Sequence, residues 1–281
     1  PGEIVVVPVD CAMMTDILGP RIIAPEMERI HRHVKNPDSV VIVADHYTPS
    51  ATEHQAEIVN FSRKWAKENG IRHFYELDGP CHQLLAERGF SRPGDILVGT
   101  DSHSCTSGAF GCFGTGIGST EMLGVIVTGE IWFKVPESIR IEWSGRLPKG
   151  VMAKDVILHT IGVLGHAGAT YKSMEFCGNT ITDLPMDERI CISNMAVEAG
   201  AKVGLIPADK KTIQYMLDHG VQDAASAPCY RADEDANYCQ KLFFKAEDLV
   251  PTVACPHEVD NTKPITEVVG QHIDQVYIGS C

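Results

Sequence analysis

The stretch DILVGTDSHSCT, residues 95–106, decides the fold. Its first part, Asp95 to Val98, is a short and mostly apolar run that predicts a buried strand. Its second part, Gly99 to Thr106, places an aspartate and a histidine directly after that strand. Loops at the carboxyl ends of parallel strands are where α/β proteins bind ligands. The stretch therefore predicts both a parallel sheet and a site at its edge.

The chain before this stretch repeats the same alternation. Val40–Ala44 is a β-branched run, and residues 52–69 carry helix formers up to the helix-ending Gly70. Residues 72–77 then predict a second strand, and residues 82–88 a short helix. Strands that alternate with helices indicate parallel β-α-β units and an α/β fold.

The pattern starts again after Pro136, with strands predicted near residues 139–143 and 203–206 and helices near 152–164 and 187–198. We therefore expect one domain over residues 1–135 and a second over 136–248. Residues 249–281 are expected to begin a third, with a strand near 275–278 that leads into Cys281. Because that strand ends at a loop cysteine, we expect the chain to be part of a longer enzyme.

Glycines are dense between Gly108 and Gly118, which resembles a dinucleotide-binding loop at first sight. Residue 119 is Ser, however, so the G-x-G-x-x-G pattern is not matched, and the G-K-[ST] ending of a phosphate loop is missing too. Turns and close helix packing are the expected use of these glycines.

Composition excludes some classes of function. The 281 residues are 44% hydrophobic and carry a formal net charge of -13, which gives no reason to bind nucleic acid or an anionic membrane. No stretch approaches the roughly 20 apolar residues of a membrane span, and the first residues lack the charged start of a signal peptide. The 10 cysteines include no C-x-x-C pair, which favours reduced thiols over disulfides. We expect a soluble, cytoplasmic protein.

Three predicted strand ends each deliver a histidine. Asp45-His46 follows the first strand, His82 follows the second, and Asp101 and His103 follow the third. Histidine beside a carboxylate can donate a proton near neutral pH, or it can position metal-bound water. Asn194 and Glu198 are four residues apart, so on a helix they would share one face.

The motif residues resemble the aconitase superfamily. The resemblance rests on Gly99–Thr106 with the glycines that follow, on Cys191–Ala201, and on Ile278–Cys281, so it runs along nearly the whole chain. Residues 132–136 and 168–171 are closer to the two-subunit isopropylmalate and homoaconitate branch. The resemblance implies aconitase-like α/β/α domains with mainly parallel sheets. It also implies a hydro-lyase that dehydrates and rehydrates a hydroxy di- or tricarboxylic acid, with a small subunit as partner.

The same resemblance implies roles for individual residues. Cys281 would be the first thiolate ligand of a 4Fe-4S cluster, whose other two cysteines would follow it. Asp45-His46 would protonate the departing hydroxyl, while the pairs His82 with Glu198 and Asp101 with His103 would orient water and proton transfers. The residues expected to contact substrate are Ser102, Asn194 and Asp16. At Asp16 the family has a His-Asp or Gln-Asp pair, whereas in this sequence the residue before Asp16 is Thr15.

Two other interpretations remain open from the residues alone. His46, His82, Asp101 and His103 could hold one zinc or iron ion in a metal-dependent hydrolase. The second interpretation is a truncated, non-catalytic binding paralogue, because only one cluster cysteine is present.

Overall fold

The computed structural model describes residues 1–279. The strands are β1 (Ile4–Pro8), β2 (Cys11–Thr15), β3 (Val40–Ala44), β4 (His73–Glu76), β5 (Ile96–Gly99), β6 (Phe113–Gly116), β7 (Glu130–Lys134), β8 (Ser138–Ser144), β9 (Ser173–Cys177), β10 (Val203–Leu205), β11 (Gln240–Lys245), β12 (Thr252–Ala254) and β13 (Thr262–Pro264). The α-helices are α1 (Pro20–Arg29), α2 (Glu53–Glu68), α3 (Cys81–Glu87), α4 (Ser119–Thr128), α5 (Ala153–Leu164), α6 (Asn179–Asp183), α7 (Met186–Asn194) and α8 (Lys210–Asp218).

The first sheet is parallel, with strand order β4-β3-β2-β5-β6. It confirms the predicted strands β3, β4 and β5 and the helices α2 and α3 between them. All five residues of β3 are buried, as expected for a β-branched strand covered on both faces. The central strand β2 was not predicted, because Cys, Ala and Met have little strand preference of their own. It forms a strand because it pairs with β3 and β5 in the centre of the sheet, where all five of its residues are buried.

The glycine-dense segment was expected to form turns and helix contacts, which is correct for Gly111, a left-handed turn, and for Gly118, the cap of α4. It is wrong for Gly114 and Gly116, since Phe113 to Gly116 is strand β6. A Cβ atom at Gly114 would lie 2.4 Å from the carbonyl oxygen of Ser104, and one at Gly116 would lie 2.8 Å from that of Asp101. Both distances are too short for a side chain. The glycines thus let β6 lie directly against the segment that follows β5.

The second sheet has the order β10-β9-β8-β11 and is also parallel. Its buried face carries Ile139, Ile141 and Trp143 of β8 and packs in one core with Ile157 of α5 and Ile192 of α7. Strands β8 and β10 and helix α5 confirm the predicted elements. The strands β9 and β11 and the helix α8 were not predicted.

A 3-10 segment, Ser102–Phe110, joins the two sheets. The backbone N–H of Ile206 donates to the carbonyl oxygen of Gly108 at 2.9 Å, directly after β10. Phe110 is fully buried in a cluster with Met186 and Met216 from the second half of the chain. The segment that carries the predicted site residues therefore lies at the contact between the sheets.

The last described residues differ from expectation. Strands β12 and β13 form an antiparallel pair, but residues 275–279 belong to no strand, so the strand predicted there is wrong. Val276, Tyr277 and Ile278 are exposed, so this apolar run has no neighbouring strand to pair with in the described part. Cys281 lies outside the described residues. The domain division at residues 135 and 248 stays a prediction. Within residues 1–279 no helix has the length and apolar character needed to cross a membrane.

Candidate active site

The predicted histidines and aspartates do meet at one edge of the first sheet. Asp45 and His46 directly follow β3, Asp101 follows β5, and His82 lies in the first turn of α3, after β4. They line a cleft with a volume of about 670 Å³, which we call the His46 cleft. The sheet places the carboxyl ends of three strands at this cleft.

His46 is held between carboxylates. Its Nδ1 lies 2.7 Å from Oδ1 of Asp45 and 3.7 Å from Oδ1 of Asp16, and its Nε2 lies 3.8 Å from Oδ2 of Asp101. The hydrogen bond with Asp45 outweighs partial burial and, with the three negative charges, raises the pKa of His46 above its ordinary value. The ring remains about one-third exposed, so it can reach a ligand in the cleft.

Asp45 is positioned from both sides. Its Oδ2 accepts a hydrogen bond of 2.6 Å from the backbone N–H of Cys81, and its other oxygen contacts His46. Burial acts to raise the pKa of Asp45, but these hydrogen bonds and the nearby imidazole outweigh it and leave the pKa below its ordinary value. The carboxylate therefore stays ionised and fixes the orientation of the His46 ring.

Asp101 is paired with His82. Its Oδ1 accepts hydrogen bonds from Nε2 of His82 at 2.7 Å and from the backbone N–H of His103 at 2.8 Å. The hydrogen bond from His82 outweighs burial and lowers the pKa of Asp101 to about 2. The His82 side chain is only 2% exposed, so this pair is shielded from water on the histidine side.

The ring of His103 faces Glu198, with Nε2 3.3 Å from Oε1, and its Nδ1 lies 3.0 Å from Oγ of Ser102. The side-chain contacts thus join His82 with Asp101 and His103 with Glu198 rather than the expected partners, and the roles expected of these residues stay a prediction. The helix predicted over residues 187–198 ends at Asn194 and continues as a 3-10 turn, Met195–Ala199. This change of helix type accompanies the placement of Glu198 beside His103.

Asn194 and Glu198 both reach the Ser102–Phe110 segment, as their spacing suggested. Nδ2 of Asn194 donates to Oγ1 of Thr106 at 2.9 Å, and that hydroxyl donates to the carbonyl oxygen of His103 at 2.6 Å. Thr106 is buried and was not among the predicted site residues. Its place in the quoted motif was the only sequence signal that could have found it.

Asp16 is fully buried. Its two carboxylate oxygens accept hydrogen bonds from the backbone N–H groups of His46, at 3.3 Å, and Tyr47, at 2.8 Å. Before it, the backbone N–H of Thr15 donates to Oγ1 of Thr100 at 3.1 Å. In this arrangement Asp16 fixes the turn after β3, and its contact with substrate stays a prediction.

A second cleft, of about 640 Å³, begins on the other side of Asp101, and we call it the Lys202 cleft. Thr100, Asp101 and Ser102 line it from the first sheet, and Tyr171 and Lys202 line it from the second half of the chain. Neither Tyr171 nor Lys202 was predicted as a site residue. Tyr171 ends the 168–171 stretch that supports the family resemblance, but nothing in that stretch or around Lys202 marks a site residue, because both meet the site only through the packing of the two sheets.

Metal-binding capacity at this edge is limited. The potential ligand atoms of Asp16, Asp45 and His46 lie within 4.8 Å of one another, but all three residues are engaged in the hydrogen bonds described above. Among the described residues, the four-residue metal set of His46, His82, Asp101 and His103 does not converge, because the His103 ring faces Glu198 instead.

The described cysteines do not form a cluster site either. None of the nine forms a disulfide, and none belongs to a group of close potential ligands among residues 1–279. Burial raises the pKa of Cys105 to about 12 and that of Cys11 and Cys112 well above the ordinary value, so these thiols resist becoming thiolates. Gly279 lines the His46 cleft, however, and Cys281 follows it by two positions.

Comparison with known proteins gives a consistent result. The model of the aconitase family (aconitate hydratase) matches residues 3–281. The chain is 49% identical to a probable methanogen homoaconitase large subunit from Methanosarcina mazei, over 91% of this chain and 64% of that protein. It is 45% identical to the 3-isopropylmalate dehydratase large subunit 1 of Methanopyrus kandleri, over 100% of this chain and 66% of that protein. It is 44% identical to the 3-isopropylmalate dehydratase large subunit of Heliobacterium modesticaldum, over 100% of this chain and 67% of that protein. The chain thus spans about two thirds of the length of these relatives.

Proposed function

The chain belongs to the aconitase family, and from this premise we propose that it serves as the large subunit of a hydro-lyase acting on hydroxy di- or tricarboxylic acids. The proposed reaction removes and re-adds water by way of an unsaturated acid, as the names of the 3-isopropylmalate dehydratase relatives suggest. One observation carries the proposal: the His46 imidazole, with a raised pKa, lies in an open cleft between Asp45, Asp16 and Asp101.

Loss of a hydroxyl group requires a proton donor, because hydroxide is a poor leaving group. The pKa of His46 is raised, which keeps the ring protonated close to neutral pH, where general acids work best. Asp45 fixes Nδ1, which leaves Nε2 as the atom that donates to the departing oxygen. Proton transfer of this kind contributes about 10²–10⁴ in rate.

The two remaining histidine pairs would handle water and orientation. Asp101, with a pKa of about 2, stays ionised and cannot act as an acid, so it holds His82 and the backbone of His103 in place. His103 and Glu198 form a half-exposed pair that can exchange a proton with water. Asn194 and Ser102 are proposed to contact substrate beside this pair.

We further propose a 4Fe-4S cluster with Cys281 as its first ligand in this chain. The support is the family, whose dehydratases generally use such a cluster, and the approach of Gly279 to the His46 cleft. When bound, the cluster supplies Lewis-acid chemistry at the substrate hydroxyl. The proton transfers remain with the side chains described above.

The names of the relatives also support a small subunit as partner, because each is called a large subunit. We propose that the small subunit completes the carboxylate-binding part of the site. A cytoplasmic location is proposed as well, since the described cysteines form no disulfide and thiols are kept reduced in that compartment.

The test uses the complete large and small subunits, reconstituted anaerobically with iron and sulfide. Iron and sulfide are counted for each large subunit, and dehydration of malate derivatives is followed by the ultraviolet absorbance of the conjugated product. About four irons and four sulfides, both lost in Cys281→Ser, with dehydration of at least one hydroxy acid, are expected. One metal ion without sulfide, and no dehydration, would reject the proposal.

The active-site assignment needs its own comparison. His46→Gln is expected to lower kcat by at least about 100-fold without loss of iron, because it removes the proton donor. The matched control is His219→Gln, since the His219 ring is exposed, contacts the carbonyl oxygen and the ring of Tyr215, and does not line the His46 cleft. Equal activity of the two variants would contradict the role of His46.

A further inference from the structure

The Lys202 cleft borders the proposed site and is not used by the proton transfers described above. Its walls are the carboxyl ends of β5 and β6 on one side and the residues around Tyr171 and Lys202 on the other. It shares Asp101 with the His46 cleft, so the two clefts are adjacent at this residue. A ligand that reacts in one cleft can extend into the other.

Lys202 brings an unpaired charge into this cleft. It is half-buried, and its Nζ lies 5.0 Å from the centre of the Tyr171 ring. Its backbone N–H donates to the carbonyl oxygen of Lys172 at 2.8 Å, which fixes the start of the side chain. Within the described residues no carboxylate forms an ion pair with Lys202. An aromatic ring positions this ammonium group without neutralising it.

The carboxylates in the walls of the cleft are already engaged. Asp101 accepts hydrogen bonds from His82 and from the backbone of His103. Glu121 accepts a hydrogen bond of 2.9 Å from the backbone N–H of Gly118, at the start of α4. Neither is paired with Lys202, so the ammonium group remains available to an anion from outside the chain.

The charge balance of the site calls for such a cation. Asp16, Asp45, Asp101 and Glu198 surround the reacting region, and a di- or tricarboxylic acid adds at least two further negative charges. Among the described residues that line the two clefts, Lys202 is the one lysine or arginine. No other lysine or arginine among these described residues could offset the charge of the carboxylate remote from the reacting hydroxyl.

We infer that the Lys202 cleft binds the substrate carboxylate remote from the hydroxyl that leaves, with the Lys202 ammonium group as its charge partner. This inference rests on the proposed function and deepens it, since it names a residue that selects substrates by their second carboxylate. The exposed Ser102 lies in the same wall, where its hydroxyl can contact that carboxylate.

The first experiment measures binding without turnover. Tricarballylate, a tricarboxylate that has no hydroxyl to lose, is titrated calorimetrically into the complete large and small subunits and into their variants Lys202→Met, Lys202→Arg and Lys172→Met. Methionine keeps a hydrocarbon stem over Tyr171 but removes the charge. Lys172 is the control, because its Nζ contacts only the carbonyl oxygen of Gly168, at 3.4 Å, and it does not line the cleft.

Loss of one charge-assisted contact corresponds to about tenfold or more in affinity. We expect that loss in Lys202→Met, most of the affinity restored in Lys202→Arg, and no change in Lys172→Met. Equal affinities of Lys202→Met and the unaltered chain would overturn the inference. Should Lys202→Met fail to fold, Lys202→Gln is titrated in its place: weakened binding by a folded Lys202→Gln that has an unchanged melting temperature would support the inference, and unchanged binding would reject it.

The second experiment uses the complete enzyme and separates positioning from stability. Lys202→Met is expected to raise KM for a hydroxy diacid about tenfold while kcat changes little, because it removes binding that is uniform along the reaction. For a hydroxy acid whose remote carboxylate is esterified, the two enzymes should have the same KM. A purely structural role would affect both substrates equally. If the unaltered enzyme dehydrates no hydroxy acid, the proposed function fails, and the tricarballylate titration still decides the inference.

Discussion

Nε2 of His82 donates a hydrogen bond of 2.7 Å to Oδ1 of Asp101, and this pair joins the first turn of α3 to the end of β5. An ionised carboxylate can only accept, so the ring nitrogen is the donor. The pair fixes Asp101 between two clefts, one lined by His46 and the other by Lys202.

Replacement of His82 by Leu is expected to raise the pKa of Asp101 from about 2 toward its ordinary 3.8, because the hydrogen bond from His82 is the main cause of the low value. A lowered pKa contributes stability that is present above the unfolded-state pKa and is lost as the pH falls toward about 2. The variant should therefore lose less stability between these two pH values. Carboxyl carbon NMR of Asp101 measures the pKa, with His219→Leu as the control. An unchanged pKa would contradict the prediction.

Asp45→Asn is expected to lower the pKa of His46, since the hydrogen bond with Asp45 is the largest cause of its rise. Asp16 and Asp101 remain, so the pKa should stay partly raised. A raised histidine pKa stabilises the folded chain at low pH, and that stability is lost as the pH rises through the folded-state pKa. Because protonated His46 is the proposed donor, the falling limb of the kcat/KM profile should move to lower pH. Ring proton NMR of His46 checks the pKa directly, and a profile identical to that of the unaltered enzyme would count against the pair.

Thr106→Val tests whether Thr106 acts through its neighbours. The substitution keeps the shape of the side chain but removes the hydrogen bonds to Asn194 and to the carbonyl oxygen of His103. Leaving these polar groups unpaired is expected to lower the free energy of unfolding by about 1–3 kcal/mol and to lower kcat more than KM. Thr128→Val, on an exposed part of α4, should change the free energy of unfolding and kcat only slightly. Urea unfolding and steady-state kinetics are the measurements.

Much of the first sheet could be predicted from the sequence, and there is a physical reason why two of its strands could not. Val40–Ala44 is recognisable because a strand buried on both faces is a continuous apolar run. Cys11–Thr15 is equally buried, but its Cys, Ala and Met residues have little strand preference, so tertiary packing makes it the central strand. Phe113–Gly116 was missed because glycine is rare in strands. Its glycines are needed where the backbone of β6 lies against the segment after β5, and the sequence alone does not show that contact.

The site was predictable as a set of residues but not as a set of pairs. Strand ends collect at one edge of a parallel sheet, which brought His46, His82 and Asp101 together as expected. Which acid faces which ring depends on local backbone turns, such as the change from α-helix to 3-10 turn before Glu198. Lys202 enters through contact between the two sheets, and such a contact leaves no pattern along the chain.

Asp95→Asn is expected to stabilise the chain at pH 7. Burial, and then the negative charge of Asp10, raise the pKa of Asp95, so its ionised form is unfavourable in the folded state. Removing that charge should raise Tm by a small amount, since the partly exposed side chain lets solvent screen the repulsion. The gain should shrink as the pH falls, because Asp95 is then protonated in the unaltered chain. Scanning calorimetry at neutral and acid pH tests this. Asp218→Asn, on an exposed helix face, should show no such gain.

The contact between the two sheets predicts opposite outcomes for two glycine-to-alanine substitutions. A Cβ atom at Gly108 would lie 2.1 Å from the carbonyl oxygen of Gly204, so alanine there must force the Ser102–Phe110 segment away from β10. Overpacking of this kind lowers the free energy of unfolding by about 1–3 kcal/mol, and here it also displaces His103 and lowers kcat. Gly124, inside α4, has no atom within 4 Å of the new Cβ, so alanine should stabilise the helix by roughly 0.5–1 kcal/mol and leave kcat unchanged. Denaturant unfolding of both variants decides the matter, since equal effects at the two positions would mean that the sheets do not meet at Gly108.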